Sequence, residues 1–266
     1  MKFYKYWVKE TATLQVNGEP QKSTCFGGSN ISMEDARLNA KEKLQKVQAR
    51  INGSSEQEEE YQVSIREEII TTIDEHNIIT RNRYGALVLN SENTCFVDID
   101  EPRLSFWQSL FGHGKHSKKE LIIQMIEKKA AKPPLNALNY RIYETHSGIR
   151  LIISGKPLQP SSAESKALLK AFNSDWLYQI LCVKQDCYRA RLTPKPYRIK
   201  CKAHRVTFPR DQEQQSLLEQ WVKSYEQHSA KFGVCKFVKQ IGDEIPNKII
   251  KFHDAETRAY KSIKLA

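Results

Sequence analysis

No stretch of this chain approaches the roughly 20 consecutive apolar residues that a membrane-spanning helix needs, and Met1-Lys2-Phe3-Tyr4-Lys5 lacks the apolar core of a secretion signal. A cytoplasmic protein with no membrane attachment is the expectation. Internal repeats are missing too, which excludes solenoids and propellers. Cysteine is sparse, at six in 266 residues. In a reducing compartment these read as free thiols or metal ligands, not as a disulfide framework. What the chain does not lack is core-forming material. With 39% hydrophobic residues, including 10 Phe, 11 Tyr and 4 Trp, it is too apolar to be disordered.

Acidic residues are missing from one place in particular. The net charge is +11, yet residues 1–133 hold 19 basic and 19 acidic side chains, so the whole excess lies in residues 134–266. Lys184 to Arg210 concentrates it, with nine Lys and Arg against the single acid Asp186. A block of this kind points to a polyanionic partner, DNA or RNA with nucleotides as a further option.

Periodicity gives an α+β chain. Tyr4 to Val16 alternates like a strand and Asn17-Gly18 offers a turn. Phe26 to Asn30 reads as a glycine turn before a helix that Ser32 caps and that runs to about Ile51. Gly53 to Glu60 reads as an exposed connection, and Tyr61 to Ile73 as a second helix. Ala86 to Leu89 and Cys95 to Ile99 are short buried strands, and Lys118 to Lys129 is an amphipathic helix. Tyr140 to Thr145 and Ile149 to Ile153 flank His146-Ser147-Gly148 as a hairpin with glycine at a positive φ. A helix from Ser161 to Phe172, another over 211–231 and a strand near Val234 complete the pattern. Trp176 and Trp221 read as core. The expected organisation is an N-terminal α/β module over 1–77 and a core with a basic C-terminal lobe over 78–266, or one continuous two-lobed domain.

Several groups of residues could carry chemistry. In Cys95-Phe96-Val97-Asp98-Ile99-Asp100 the two carboxylates share one face of a strand, where Mg²⁺ or Mn²⁺ would relieve their repulsion. Ser147 and Arg150 on the hairpin are suited to a phosphate. Cys182, Cys187, Cys201 and His204 could form a tetrahedral zinc site that pins the basic segment. Within that segment Arg189, Arg191, Lys195, Arg198, Lys200, Lys202 and Arg205 are candidate phosphate contacts, and Tyr188 and Tyr197 could stack on bases. His113 and His116 read as loop residues.

A hydrophobic strand ending in Asp98-Ile99-Asp100, then Ser147-Gly148-Ile149-Arg150 on a hairpin, then Asp186, resembles the active-site order of the archaeo-eukaryotic primase superfamily. The resemblance covers roughly residues 78–200. It implies an RRM-like sheet, antiparallel or mixed, with flanking helices and a divalent-metal-dependent nucleotidyl-transfer core, active or degenerate. Asp98 and Asp100 would hold the metal, Asp186 would complete the acidic set, and Ser147 would contact a nucleotide. Arg150 stands where that family has histidine. The alternative is a non-enzymatic nucleic-acid-binding protein that uses the Lys184 to Arg210 block.

Overall fold

The computed structural model describes residues 1–53, 64–101 and 117–266. The expected connection beyond Gly53, the start of the Tyr61 helix, His113 and His116 lie outside the described residues. The chain opens with a hairpin, β1 (Tyr6–Val16) and β2 (Glu19–Ser29), whose turn puts Asn17 and Gly18 at φ 52° and 84°. Helix α1 (Met33–Ile51) follows, with Ser32 Oγ accepting from the Asp35 amide. Gly27 and Gly28 belong to β2 and are not the turn expected from sequence. A Cβ on Gly27 would lie 1.9 Å from the Ala36 carbonyl oxygen, and one on Gly28 would lie 2.2 Å from the Tyr4 ring. Gly27 lets strand and helix touch, and Gly28 makes room for the Tyr4 ring.

Two four-stranded antiparallel sheets follow. The first has the order β3-β4-β5-β9, from β3 (Glu68–Asp74), β4 (Asn77–Arg81), β5 (Leu87–Ser91) and β9 (Tyr188–Arg191). The second has the order β10-β7-β8-β6, from β6 (Cys95–Asp100), β7 (Asn139–Thr145), β8 (Gly148–Ser154) and β10 (Cys235–Ile241). Glu68–Asp74 is a strand where the apolar spacing predicts a helix. Five consecutive β-branched residues, Ile69 to Ile73, cannot all hold the single side-chain rotamer that a helix allows them, and they suit a half-buried pleat. Because β3 pairs with β4, sequence on both sides of residue 77 enters one sheet.

Among the described residues the remaining α-helices are α2 (Lys118–Ala130), α3 (Ala163–Ala171), α4 (Trp176–Gln185), α5 (Gln212–Ser229) and α6 (Lys248–Thr257). One hydrophobic cluster joins Ile79, Leu89 and Ala190 of the first sheet, with Leu192 just after it, to Phe96, Ile142, Leu151 and Ile152 of the second. Helix α2 adds Ile122 and Ile126 to it, and α6 adds Ile249 and Ile250. The N-terminus of α4 covers the free edge of β6. The Tyr178 hydroxyl donates to the Phe96 carbonyl at 2.9 Å, and Ser174 Oγ donates to that of Asp98 at 3.4 Å. Among the described residues no helix is long and apolar enough to cross a membrane.

Candidate phosphate-binding site

The site grows from the pairing of β6 with β8, whose register sets Asp98 opposite Arg150 and Asp100 opposite Gly148. Gly148 is not at positive φ, contrary to the sequence expectation. Its requirement is space, since a Cβ there would lie 2.0 Å from the Ile99 carbonyl oxygen. The hairpin tip is thereby drawn against the end of β6, and Ser147 O accepts from the Glu101 amide at 2.9 Å.

Arg150 is 1% exposed, and its guanidinium forks onto Asp98, Nε to Oδ1 at 2.7 Å and Nη2 to Oδ2 at 2.9 Å. Its remaining nitrogen, Nη1, donates to the Arg191 carbonyl at 2.9 Å and reaches His253 Nε2 at 3.3 Å. An arginine only donates, so His253 Nε2 is the acceptor. The proton therefore sits on Nδ1, which faces Asp254 Oδ1 at 3.0 Å. Asp254 Oδ2 in turn accepts from Arg141 at 2.9 Å, and Arg141 also donates to Tyr143 at 2.8 Å and Glu244 at 3.2 Å. A polar chain thus threads the sheet from Asp98 to a surface groove of about 450 Å³ that includes Lys251, Arg258 and Tyr260. Burial by itself would raise the carboxyls of Asp98 and Asp254. The charge and hydrogen bonds of Arg150 hold Asp98 below the usual carboxylate range, and His253, Tyr143 and Arg141 do the same for Asp254.

His253 is fully buried, and desolvation and the Arg150 charge push its pKa below the ordinary 6.5, against the pull of Asp254 and Asp98. A base whose folded pKa is depressed takes up protons more readily when unfolded. Stability is therefore complete above about pH 6.5 and falls as pH drops from there, by at most ~1.4 kcal/mol per pH unit for one proton. Asp98 and Asp254 add a further loss in more acidic solution, since their folded pKa values are also depressed. Thermal unfolding followed by circular dichroism should show the midpoint falling below pH 6.5. The His253→Gln variant should lose less of its own midpoint over this range, burial of His204 accounting for the remainder; a profile identical to wild type would contradict the buried neutral ring.

The cationic wall comes from β9 and the loop after it. Along β9 Tyr188 and Ala190 are buried, while Arg189 and Arg191 share the opposite face, as the alternation predicts. Arg189 is committed to Glu67 at 2.6 Å, and Arg210 is ion-paired with Glu68. Arg191 is different. Its Nε is buried without a hydrogen-bond partner, and desolvation, then repulsion from Arg150, lower its pKa. Arg198 donates to Ser147 Oγ at 2.8 Å. Tyr197 is 70% exposed, with Lys195 Nζ and Arg198 Cζ each 5.9 Å from its ring centre. Lys200, Lys202 and Arg205 are exposed. Of the residues expected from sequence, the structure gathers Asp98, Ser147, Arg150, Arg191 and Arg198 at one end of the β6–β8 pair, with Asp100 exposed beside Gly148.

Among the described residues neither expected metal-ligand set is brought together. Asp186 caps α4 at φ 51°, and its carboxylate lies 3.9 Å from the Met1 ammonium. Both oxygens of Asp98 are held by Arg150. Among the described residues no three His, Cys, Asp or Glu side chains are grouped to hold a metal ion. Asp98, Asp100 and Asp186 therefore do not fit the divalent metal that the primase resemblance implies. The expected zinc ligands are dispersed as well. Cys182 lies in the main core, Cys187 packs with Phe3 and Ile78, and Cys201 packs with Ile199 and Tyr225. Burial pushes these thiols up, Cys187 to about 12, away from the thiolate that zinc requires. His204 instead packs edge-on against Trp221 at 4.8 Å.

Side chains of α5 brace the basic loop. Trp221 and Tyr225 stack at 4.8 Å on α5. From there Trp221 Nε1 donates to the Lys202 carbonyl at 2.6 Å, and the Tyr225 hydroxyl hydrogen-bonds the Pro194 carbonyl and Thr193. Sequence reasoning missed Arg141, His253 and Asp254, which no spacing marks. It also placed Trp176 in the core, whereas the indole is 72% exposed at the start of α4. Helix α4 begins there because Asp175 caps it, and the capping position turns residue 176 outward.

In comparisons of this chain with protein-family models, with curated proteins and with solved structures, nothing matches.

Proposed function

We propose that this protein binds nucleic acid, DNA or RNA, without catalysing nucleotidyl transfer. In this reading the β10-β7-β8-β6 sheet and its helices serve as an RRM-like platform, and the β9 strand and basic loop form the cationic lobe beside it. The observation that carries the reading is the convergence of Arg191, Arg198 and Ser147 on the Asp98–Arg150 floor, next to the exposed Lys200, Lys202 and Arg205. Among the described residues, Lys195, Arg198, Lys200, Lys202 and Arg205 have no carboxylate at salt-bridge distance, so their charge is open to phosphates. Tyr197, flanked by two cations and exposed, offers a ring on which a base can stack. Binding is favoured over nucleotidyl transfer because Asp98 spends both oxygens on Arg150.

The test is a fluorescence-anisotropy titration of labelled DNA and RNA oligonucleotides with the full chain over a range of salt concentrations. Log affinity should fall steeply and linearly with log salt. Absent binding, or affinity indifferent to salt, would remove the reading.

A further inference from the structure

Four charged groups meet at the end of the β6–β8 pair, and their charges do not cancel. Asp98 supplies the negative charge, while Arg150, Arg191 and Arg198 supply three positive charges. Arg150 neutralises Asp98 through the two-toothed contact, which leaves Arg191 and Arg198 without a counter-charge. Arg191 is costly to hold there, since its Nε is out of reach of water and of any acceptor. The charge of Arg198 acts on it, Arg198 in turn orients Ser147 Oγ, and Arg150 holds the Arg191 carbonyl in place. The missing partner is thus an acceptor-rich anion with room for several donors, and a phosphate group has that chemistry.

A divalent cation at such a place would do two things: neutralise the aspartate and attract phosphate oxygens. Arg150 does the first from within the protein, being 1% exposed and held by four acceptors on three different elements. It cannot be displaced cheaply by an ion from solution, because leaving would strip donors from Asp98, Arg191 O and His253 together.

We infer that Arg150 stands in for a metal ion in this protein, so that Arg191 and Arg198, with Ser147, bind a phosphate group with no divalent cation required. This rests on the nucleic-acid-binding reading and deepens it by naming the group recognised and the independence from metal.

The experiment uses the full chain and two probes, inorganic phosphate and Mn²⁺. In EDTA, the ³¹P resonance of inorganic phosphate should broaden on adding wild-type protein. The effect should weaken at least about tenfold in Arg191→Met, and also in Arg198→Met, whose half-buried side chain leaves the core untouched. Electron paramagnetic resonance should find no stoichiometric Mn²⁺ that Asp98→Asn removes. Phosphate binding that appears only with Mg²⁺ or Mn²⁺, or Mn²⁺ lost on Asp98→Asn, would overturn the inference, as would binding unchanged in both arginine variants. The two readings fail separately. Oligonucleotide bound only with metal leaves the functional reading standing and sinks this one. Phosphate bound in EDTA by a protein that ignores oligonucleotides does the reverse.

Discussion

Replacing Asp98 with alanine is expected to cost about 3–5 kcal/mol of folding stability, the range for breaking a buried ion pair by removing one partner. The cost lies in what is left behind. Arg150 is buried, with Cys235 Sγ 3.5 Å from Nη1, and without Asp98 its charge faces no carboxylate in contact. Asp98 itself has 41% of its side chain exposed, so water can enter the vacated space and hold the loss toward the lower end. Asparagine keeps an acceptor for Arg150 Nε, and Asp98→Asn should cost about 1–2 kcal/mol. Urea unfolding of the three proteins measures the difference. A loss below ~1 kcal/mol for the alanine variant would mean that the pair is not a structural element of the sheet. The contrast matters for function, because a residue arranged for metal-ion chemistry is usually dispensable for folding, whereas this one is expected to be indispensable.

The second large effect concerns the wall. Converting Lys195, Arg198, Lys200, Lys202 and Arg205 together to glutamine should flatten the dependence of log affinity on log salt by about 3.5 for a single strand and about 4.5 for a duplex. At low salt the affinity should drop on the order of a hundredfold to a thousandfold. Folding should survive, since Lys200, Lys202 and Arg205 are exposed and the loop is braced by Trp221 and Tyr225 through backbone carbonyls. Arg189→Gln and Arg210→Gln are the controls. Both arginines are held by carboxylates, Glu67 and Glu68, so neutralising them should leave the salt slope unchanged. If the five-residue variant keeps the wild-type slope, the cationic wall is not the contact surface.

Much of the local structure was legible in the residues. The Asn17-Gly18 turn and the Ser32 cap rest on interactions within a few residues of one another, and the strand at Cys95 to Ile99 shows as a short apolar run. So does the face that Arg189 and Arg191 share on β9, because alternation is a property of the pleat alone. Where sequence reading failed, the deciding partner was distant. Glycines 27, 28 and 148 looked like turn residues, but each answers to an atom from another element that comes too close for a Cβ. Cys182, Cys187, Cys201 and His204 looked like a ligand set by spacing, and folding sends the thiols into three separate clusters.

What the sequence determined by itself is the mixed α+β composition, the concentration of positive charge between Lys184 and Arg210 and the candidacy of Asp98, Ser147, Arg150, Arg191 and Arg198. Only the tertiary structure decided what those residues do for one another. Strand register put Arg150 opposite Asp98, 52 positions earlier, and the packing of β9 and α6 brought Arg191 and His253 onto the same guanidinium. Charges separated along the chain have no fixed sign of influence until their distance and burial are set. In water Asp98 would be a free carboxylate able to take a metal ion; half-buried on β6 and forked by an arginine that has nowhere else to go, it is the anchor of a cationic floor.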